Sequence, residues 1–94
     1  MITVYKYVVP VPRFDACAID LPRYAEPIHV AAQGDEIMLW ARVDTEQPTE
    51  EHRFCVVGTG HRMSPAGISG RYLGTAHLNG GALVFHVFEE VPHA

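Results

Sequence analysis

Phe54-Cys55-Val56-Val57, Gly58-Thr59-Gly60-His61, and then Tyr72–Leu78, Asn79-Gly80-Gly81 and Leu83–Glu89 decide the fold of this chain. The run at 54–57 is continuously apolar, as in a strand covered on both faces. The two later runs are joined by Asn-Gly-Gly, residue types that tolerate the positive φ of a tight hairpin turn. The sequence therefore predicts a central strand over His52–Val57, a glycine loop at its exit, and a β-hairpin beside it.

Proline and glycine cut the remaining chain into short pieces, and the longest stretch free of both, Asp35 to Gln47, leaves room for at most one modest helix. Met1–Val9 alternates as a strand does, with Ile2, Val4 and Val8 on one face and Tyr5, Tyr7 and Val9 on the other. Pro10 and Pro12 end it, because proline has no N–H for a ladder. Ala16–Leu21 reads as a short strand, and Pro22 to Pro27 as a loop or irregular crossing. Ile28–Ala32 turns through Gln33-Gly34-Asp35 into Glu36–Val43, where Ile37, Leu39, Ala41 and Val43 alternate with Met38, Trp40, Arg42 and Asp44. Asp44–Glu51 is polar, holds Pro48, and reads as a loop. A helical turn is expected near Ser64–Ile68. The expected fold is all-β: a small single-domain sandwich or partly open barrel of six to seven short, mainly antiparallel strands, with at most one short helical turn. Tyr5, Tyr7, Trp40, Tyr72 and Phe85 are core candidates, and any left exposed would anchor a protein interface.

Length and composition narrow the function. Ninety-four residues make one domain, 1–94, and 48% hydrophobic residues suffice for a packed core. A formal charge of −4 without a basic patch argues against direct nucleic-acid binding and suits a basic protein partner. No segment approaches the apolar length of a membrane span, and Met1–Lys6 lacks the pattern of a signal peptide. Cys17 and Cys55 sit among apolar neighbours and read as buried, reduced thiols, so a cytoplasmic location is expected.

The chemistry-bearing residues point to binding before catalysis. Gly58-Thr59-Gly60 lacks the third glycine and following helix of a dinucleotide loop, and the phosphate-loop lysine is absent, since Lys6 is the only lysine. The candidate binding residues are Thr59, Gly60, His61 and Arg62, which could hold a small anion or nucleotide through amides, imidazole and guanidinium, with Arg71 or Arg42 near. His29, His61, His77 and His86 lack the short spacings of zinc ligands, so a metal site with Glu89 or Glu90 would need convergence in space. His86 is expected half-buried against a neighbouring carbonyl. Cys55 could act with His61 or His86, but a buried apolar thiol is inert. No catalytic residue, metal or cofactor is expected.

An ordered set of short pieces carries a resemblance: Ile2-x-x-Tyr5-Lys6-Tyr7, Ile28-His29-Val30, Leu39-Trp40-Ala41-x-Val43-Asp44, Arg53-Phe54, Gly58-Thr59-Gly60-His61, Tyr72-Leu73-Gly74-Thr75 and His86-Val87-Phe88-Glu89. As a set, over nearly the whole chain, they resemble a family of small uncharacterised proteins encoded by bacteriophages and prophages. The resemblance implies a single phage-associated domain and supplies no catalytic residues. It leads to the expectation of a non-enzymatic accessory protein that binds a host macromolecule, most simply a host protein, as defence inhibitors do. The other readings are the small-anion binder at Gly58–Arg62, a virion or assembly component that forms homo-oligomers through free edges such as Met1–Val9, and a metal-dependent hydrolase.

Overall fold

A computed structural model describes residues 1–11 and 16–91. Pro12, named above as a strand breaker, lies outside them. Seven strands form two antiparallel sheets. Sheet A has the order β1-β4-β3, built from β1 (Ile2–Val9), β3 (Glu26–Gln33) and β4 (Glu36–Asp44). Sheet B has the order β2-β5-β7-β6, built from β2 (Ala16–Pro22), β5 (Thr49–Gly58), β6 (Arg71–Leu78) and β7 (Leu83–Glu89). The expected all-β, single-domain architecture is what the chain adopts.

The alternation read in the sequence sets which face is buried. Tyr5, Tyr7 and Val9 stand opposite Ala41, Leu39 and Ile37 on the inner face of sheet A. Phe54, Val56 and Val87 face them from sheet B. The core is Val9, Leu21, Val30, Ile37, Leu39, Phe54, Val56, Ala76, Leu78 and Val87, all buried. The aromatic expectation needs correction. Among the described residues Phe54 is fully buried, Tyr7 and Phe85 are partly buried against the core, Trp40 is half-buried, and Tyr5 and Tyr72 are exposed. Tyr5 shares the inner face but sits on an edge strand, where no next strand covers it.

Strand β5 is interior to its sheet, as its apolar run predicted, but it starts earlier, at Thr49. Glu50 and Glu51 were read as loop on polarity, yet they pair with Leu21 and Asp20 of β2. A ladder is made by backbone groups, so polar side chains on one strand do not prevent it. The expected crossing at 22–27 is likewise shorter, because β2 reaches Pro22 and β3 begins at Glu26. Tyr24 makes the turn at φ 67°. Both predicted hairpins form. Gly34-Asp35 links β3 to β4, and positive φ values at Asn79, Gly80 and Gly81 turn β6 into β7. Ser64 caps the helical turn α1 (Pro65–Ile68), accepting from the Gly67 N–H at 3.3 Å. At the end of β4 the Asp44 carboxylate accepts from the Glu46 N–H, which, ahead of the nearby terminal ammonium, holds its pKa below the ordinary value.

The two sheets meet where β3 runs beside β6. Each strand is bulged there, at Ile28 in β3 and at Leu73 in β6. Bulges bend a strand and interrupt its pairing, and these two edges approach without forming a ladder. Gly74 lies against Val30: a Cβ on it would stand 2.9 Å from the Val30 Cβ and 3.0 Å from the Val30 carbonyl oxygen. The opposite seam, between β1 and β2, has no pairing. Gly74→Ala should therefore push β3 from β6 and cost about 1–3 kcal/mol, the usual penalty of overpacking. Urea unfolding followed by circular dichroism checks this, with a lower midpoint at unchanged slope as the expected result.

Candidate functional site

The glycine loop leaves the end of β5 on the outer face of sheet B. The Thr59 N–H donates to the Val84 carbonyl at 3.1 Å, and the His61 N–H closes the turn onto the Gly58 carbonyl at 3.0 Å. The His61 imidazole folds back over Gly58, where a Cβ would stand 2.8 Å from its Nδ1. That contact requires glycine at 58. Thr59, Gly60, His61 and Arg62 are all exposed. Thr59, Gly60 and His61, with Val57, Met63, His86 and Phe88, line a shallow cleft of about 180 Å³, and Arg62 stands outside that lining.

Neither arginine expected near the loop is there. Arg71 ion-pairs with Glu89 at 2.7 Å, in the rank of the ladder that holds Phe54, whereas the loop starts beyond Gly58. Arg42 belongs to sheet A and pairs with Glu26. The cluster of cations that anion capture would use is thus not assembled among the described residues.

His86 departs from expectation too. Its partners are hydroxyls rather than a carbonyl. Val57, His86 and Thr75 form one cross-strand row, and Thr59 follows two residues after Val57 on the same face. Thr59 Oγ1 lies 2.7 Å from His86 Nε2, and Thr75 Oγ1 lies 2.9 Å from Nδ1. The Tyr72 hydroxyl reaches Thr75 Oγ1 at 2.7 Å. Four side chains thus make one hydrogen-bonded line across β5, β7 and β6. A neutral imidazole donates through one nitrogen and accepts through the other, so the line can point either way. Phe88 and Tyr72 pack beside it with ring centroids 5.5 Å apart.

Of the two thiols, Cys55 belongs to this face. Cys55 is buried beneath α1, with Gly67 and Met63 close by. Cys17 stands opposite Phe54, one rank from Cys55, so their side chains leave opposite faces of the sheet and both are free. Burial, then the neighbouring Cys55, raises the pKa of Cys17 and disfavours its thiolate.

A second concavity, of about 390 Å³, is lined by Ala25, Glu50, Glu51, His52, Arg53, Glu89 and Glu90. Glu51, Glu89 and Glu90 are engaged in ion pairs within the fold. Arg53 bridges Glu51 and Glu90, Arg71 holds Glu89, and the His52 Nε2 lies 3.7 Å from Glu50. At 3.7 Å the imidazole makes no hydrogen bond, and Nε2 has no other partner among the described residues. Among those residues no three of His, Cys, Asp and Glu are grouped to hold a metal ion.

The third feature is the outer face of sheet A. Ile2, Val4, Lys6 and Val8 of β1, Met38 and Trp40 of β4, and His29 and Ala31 of β3 share it. Ile2 is 65% exposed, Val4 48% and Val8 47%. The His29 and Trp40 rings lie 5.7 Å apart. Lys6 Nζ donates to Gln33 Oε1 at 2.7 Å, crossing over β4 between the two outer strands. The Arg42–Glu26 pair and Glu36 border the apolar area. Glu50 and Glu51 lie on sheet B, and Asp35 accepts from the Asn79 N–H.

These features define a small two-sheet antiparallel β domain with one bare apolar face and one hydroxyl–imidazole line. The chain belongs to the family described as Domain of unknown function (DUF7352), whose sequence model matches residues 1–94. No curated protein and no solved structure matches it. No helix among the described residues is long and apolar enough to cross a membrane.

Thr75→Val removes the middle hydroxyl of the line without changing side-chain volume and leaves His86 Nδ1 unpaired. It should cost about 1 kcal/mol, more than Tyr72→Phe, which removes an exposed terminal hydroxyl. Paired urea titrations check the order. Both thiols should resist a disulfide-exchange reagent in the native protein, react readily in denaturant, and not crosslink to each other on mild oxidation. Mass spectrometry of the labelled peptides checks all three outcomes.

Proposed function

We propose that this domain is a non-enzymatic binding module that takes a protein partner on the outer face of sheet A. The carrying observation is the exposure of Ile2, Val4 and Val8 beside half-buried Trp40 and buried Met38, with no other described element packed over them. Exposed apolar area of this kind, bordered by charge, is the usual anatomy of a protein contact. A net charge of −4, with Glu26, Glu36 and Asp44 around the face, favours a partner with an apolar centre and a basic rim. The sequence resemblance to phage-encoded proteins makes a host protein the expected partner and an accessory, inhibitor-like role the expected biology.

Anion capture at Gly58–Arg62 is the weaker reading, because Arg42 and Arg71 are both engaged in ion pairs elsewhere. Metal-dependent hydrolysis lacks a ligand set among the described residues.

Val8→Asp places a charge in the apolar area at an already exposed position, so the fold should be unchanged by circular dichroism. Recovery of a protein partner from host lysate should fall at least about tenfold relative to wild type, as truncating an interface anchor does. A control with His61→Ala should recover the partner as wild type does. Equal recovery by Val8→Asp and wild type would remove this reading.

A further inference from the structure

We propose that the free edge of β1 pairs with the β1 edge of a second copy of this chain, joining two sheets A into one six-stranded antiparallel sheet. This inference rests on backbone geometry and does not depend on which protein the outer face takes.

Every sheet edge is a row of unpaired N–H and C=O groups that must be blunted or used. Three of the four edge strands here are blunted. β3 carries Pro27 and a bulge at Ile28, and β6 carries a bulge at Leu73. β2 ends in Pro22 and carries Asp20. β1 has one such device over its eight residues, Ile2–Val9, the charge of Lys6. Proline, bulge and acidic residue are all absent from that span, and its single charge, Lys6, is drawn across β4 to Gln33.

The backbone groups on that edge can be identified. The Thr45 N–H donates to the Met1 carbonyl at 2.9 Å, continuing the β1–β4 register. Antiparallel partners alternate between bonded and non-bonded pairs, so Met1, Thr3, Tyr5, Tyr7 and Val9 point their backbone groups at β4. The two-residue Gly34-Asp35 turn requires a bonded Gln33–Glu36 pair, which turns the even residues of β4 toward β3 and gives the same parity. Ile2, Val4, Lys6 and Val8 therefore aim their N–H and C=O groups at the free edge.

A two-fold pairing must oppose outward residues to outward residues. With Tyr5 on the axis, Ile2 meets Val8 of the second copy and Val4 meets its Lys6, so every outward residue has a bonded partner. Moving the axis to Lys6 would set two ammonium groups face to face, and moving it to Val4 would leave Val8 unpaired. The Tyr5 register alone avoids like-charge opposition and uses the whole strand. It covers Tyr5, which is 44% exposed, with its own copy on the inner face. It also merges two apolar outer faces across the joint.

Sedimentation velocity of the full chain, from about 10 to 200 μM, should show a dimer that dissociates on dilution. Val4→Pro removes an outward N–H and leaves the β4 ladder whole, so it should be monomeric with an unchanged circular dichroism spectrum. Tyr5→Cys should form an intermolecular disulfide at position 5, identified by peptide mass, whereas Thr3→Cys should not, because Thr3 faces Tyr7 of the second copy. If Val4→Pro does not fold, the Tyr5→Cys crosslink decides. A chain monomeric throughout that range would overturn the inference, as would a dimer that folded Val4→Pro preserves or a crosslink favouring Thr3→Cys. A dimer that recovers no protein partner from lysate would support this pairing while removing the partner proposal.

Discussion

Two sheets of three and four strands close on one another because the backbone of β6 lies directly on Val30 of β3. Gly74 permits that approach. A side chain at 74 would push the strands apart and loosen the packing that Val30, Leu39, Phe54 and Val87 share. The bulges at Ile28 and Leu73 turn two edges so that they cross without bonding. Closing this seam leaves β1 and β2 as the far ends of the arrangement, and the bareness of β1 is the geometric remainder of that closure.

How much of this was legible depends on whether a feature lives in side-chain periodicity or in backbone offsets. The alternation in Met1–Val9 and Glu36–Val43 divided each strand into its two faces without saying which face of β1 is buried, and Asn79-Gly80-Gly81 fixed the hairpin register. Once Leu78 pairs with Leu83, Thr75 must stand opposite His86. The middle of the hydroxyl–imidazole line was therefore readable from the turn alone. Tyr72 was not, because the bulge at Leu73 shifts it by one residue relative to β7. Nothing in the composition of Tyr72-Leu73-Gly74 announces an extra residue. The strand over Thr49–Glu51 was missed for a related reason: its support is backbone pairing with β2, which polarity does not report.

The candidate loop illustrates a similar limit. Glycines at 58 and 60 were legible, as was a turn there, but the exposure of His61 was not. What the sequence withheld was the location of the arginines. Arg71 and Arg42 each have a carboxylate partner, and such pairs form once register brings Glu89 and Glu26 alongside. A charge is available to a ligand only after the fold has decided whom it already serves. Burial and exposure divide the two halves of the molecule in the same way. Sheet B spends its outer face on α1 and the threonine–histidine line, whereas sheet A leaves its outer face uncovered among the described elements.

Lys6 is the only lysine in the chain, and it sits in the middle of β1. Amine-directed chemistry on side chains therefore has one address. Coupling to an activated surface, acylation, or a fluorophore added through an amine ester would all land on the one strand that carries both the bare face and the open edge. A protein labelled or immobilised in that way would present its sheet B face to solution with sheet A capped. Attachment through the other end of the molecule, beyond β7, keeps the chemically distinctive side of this domain accessible.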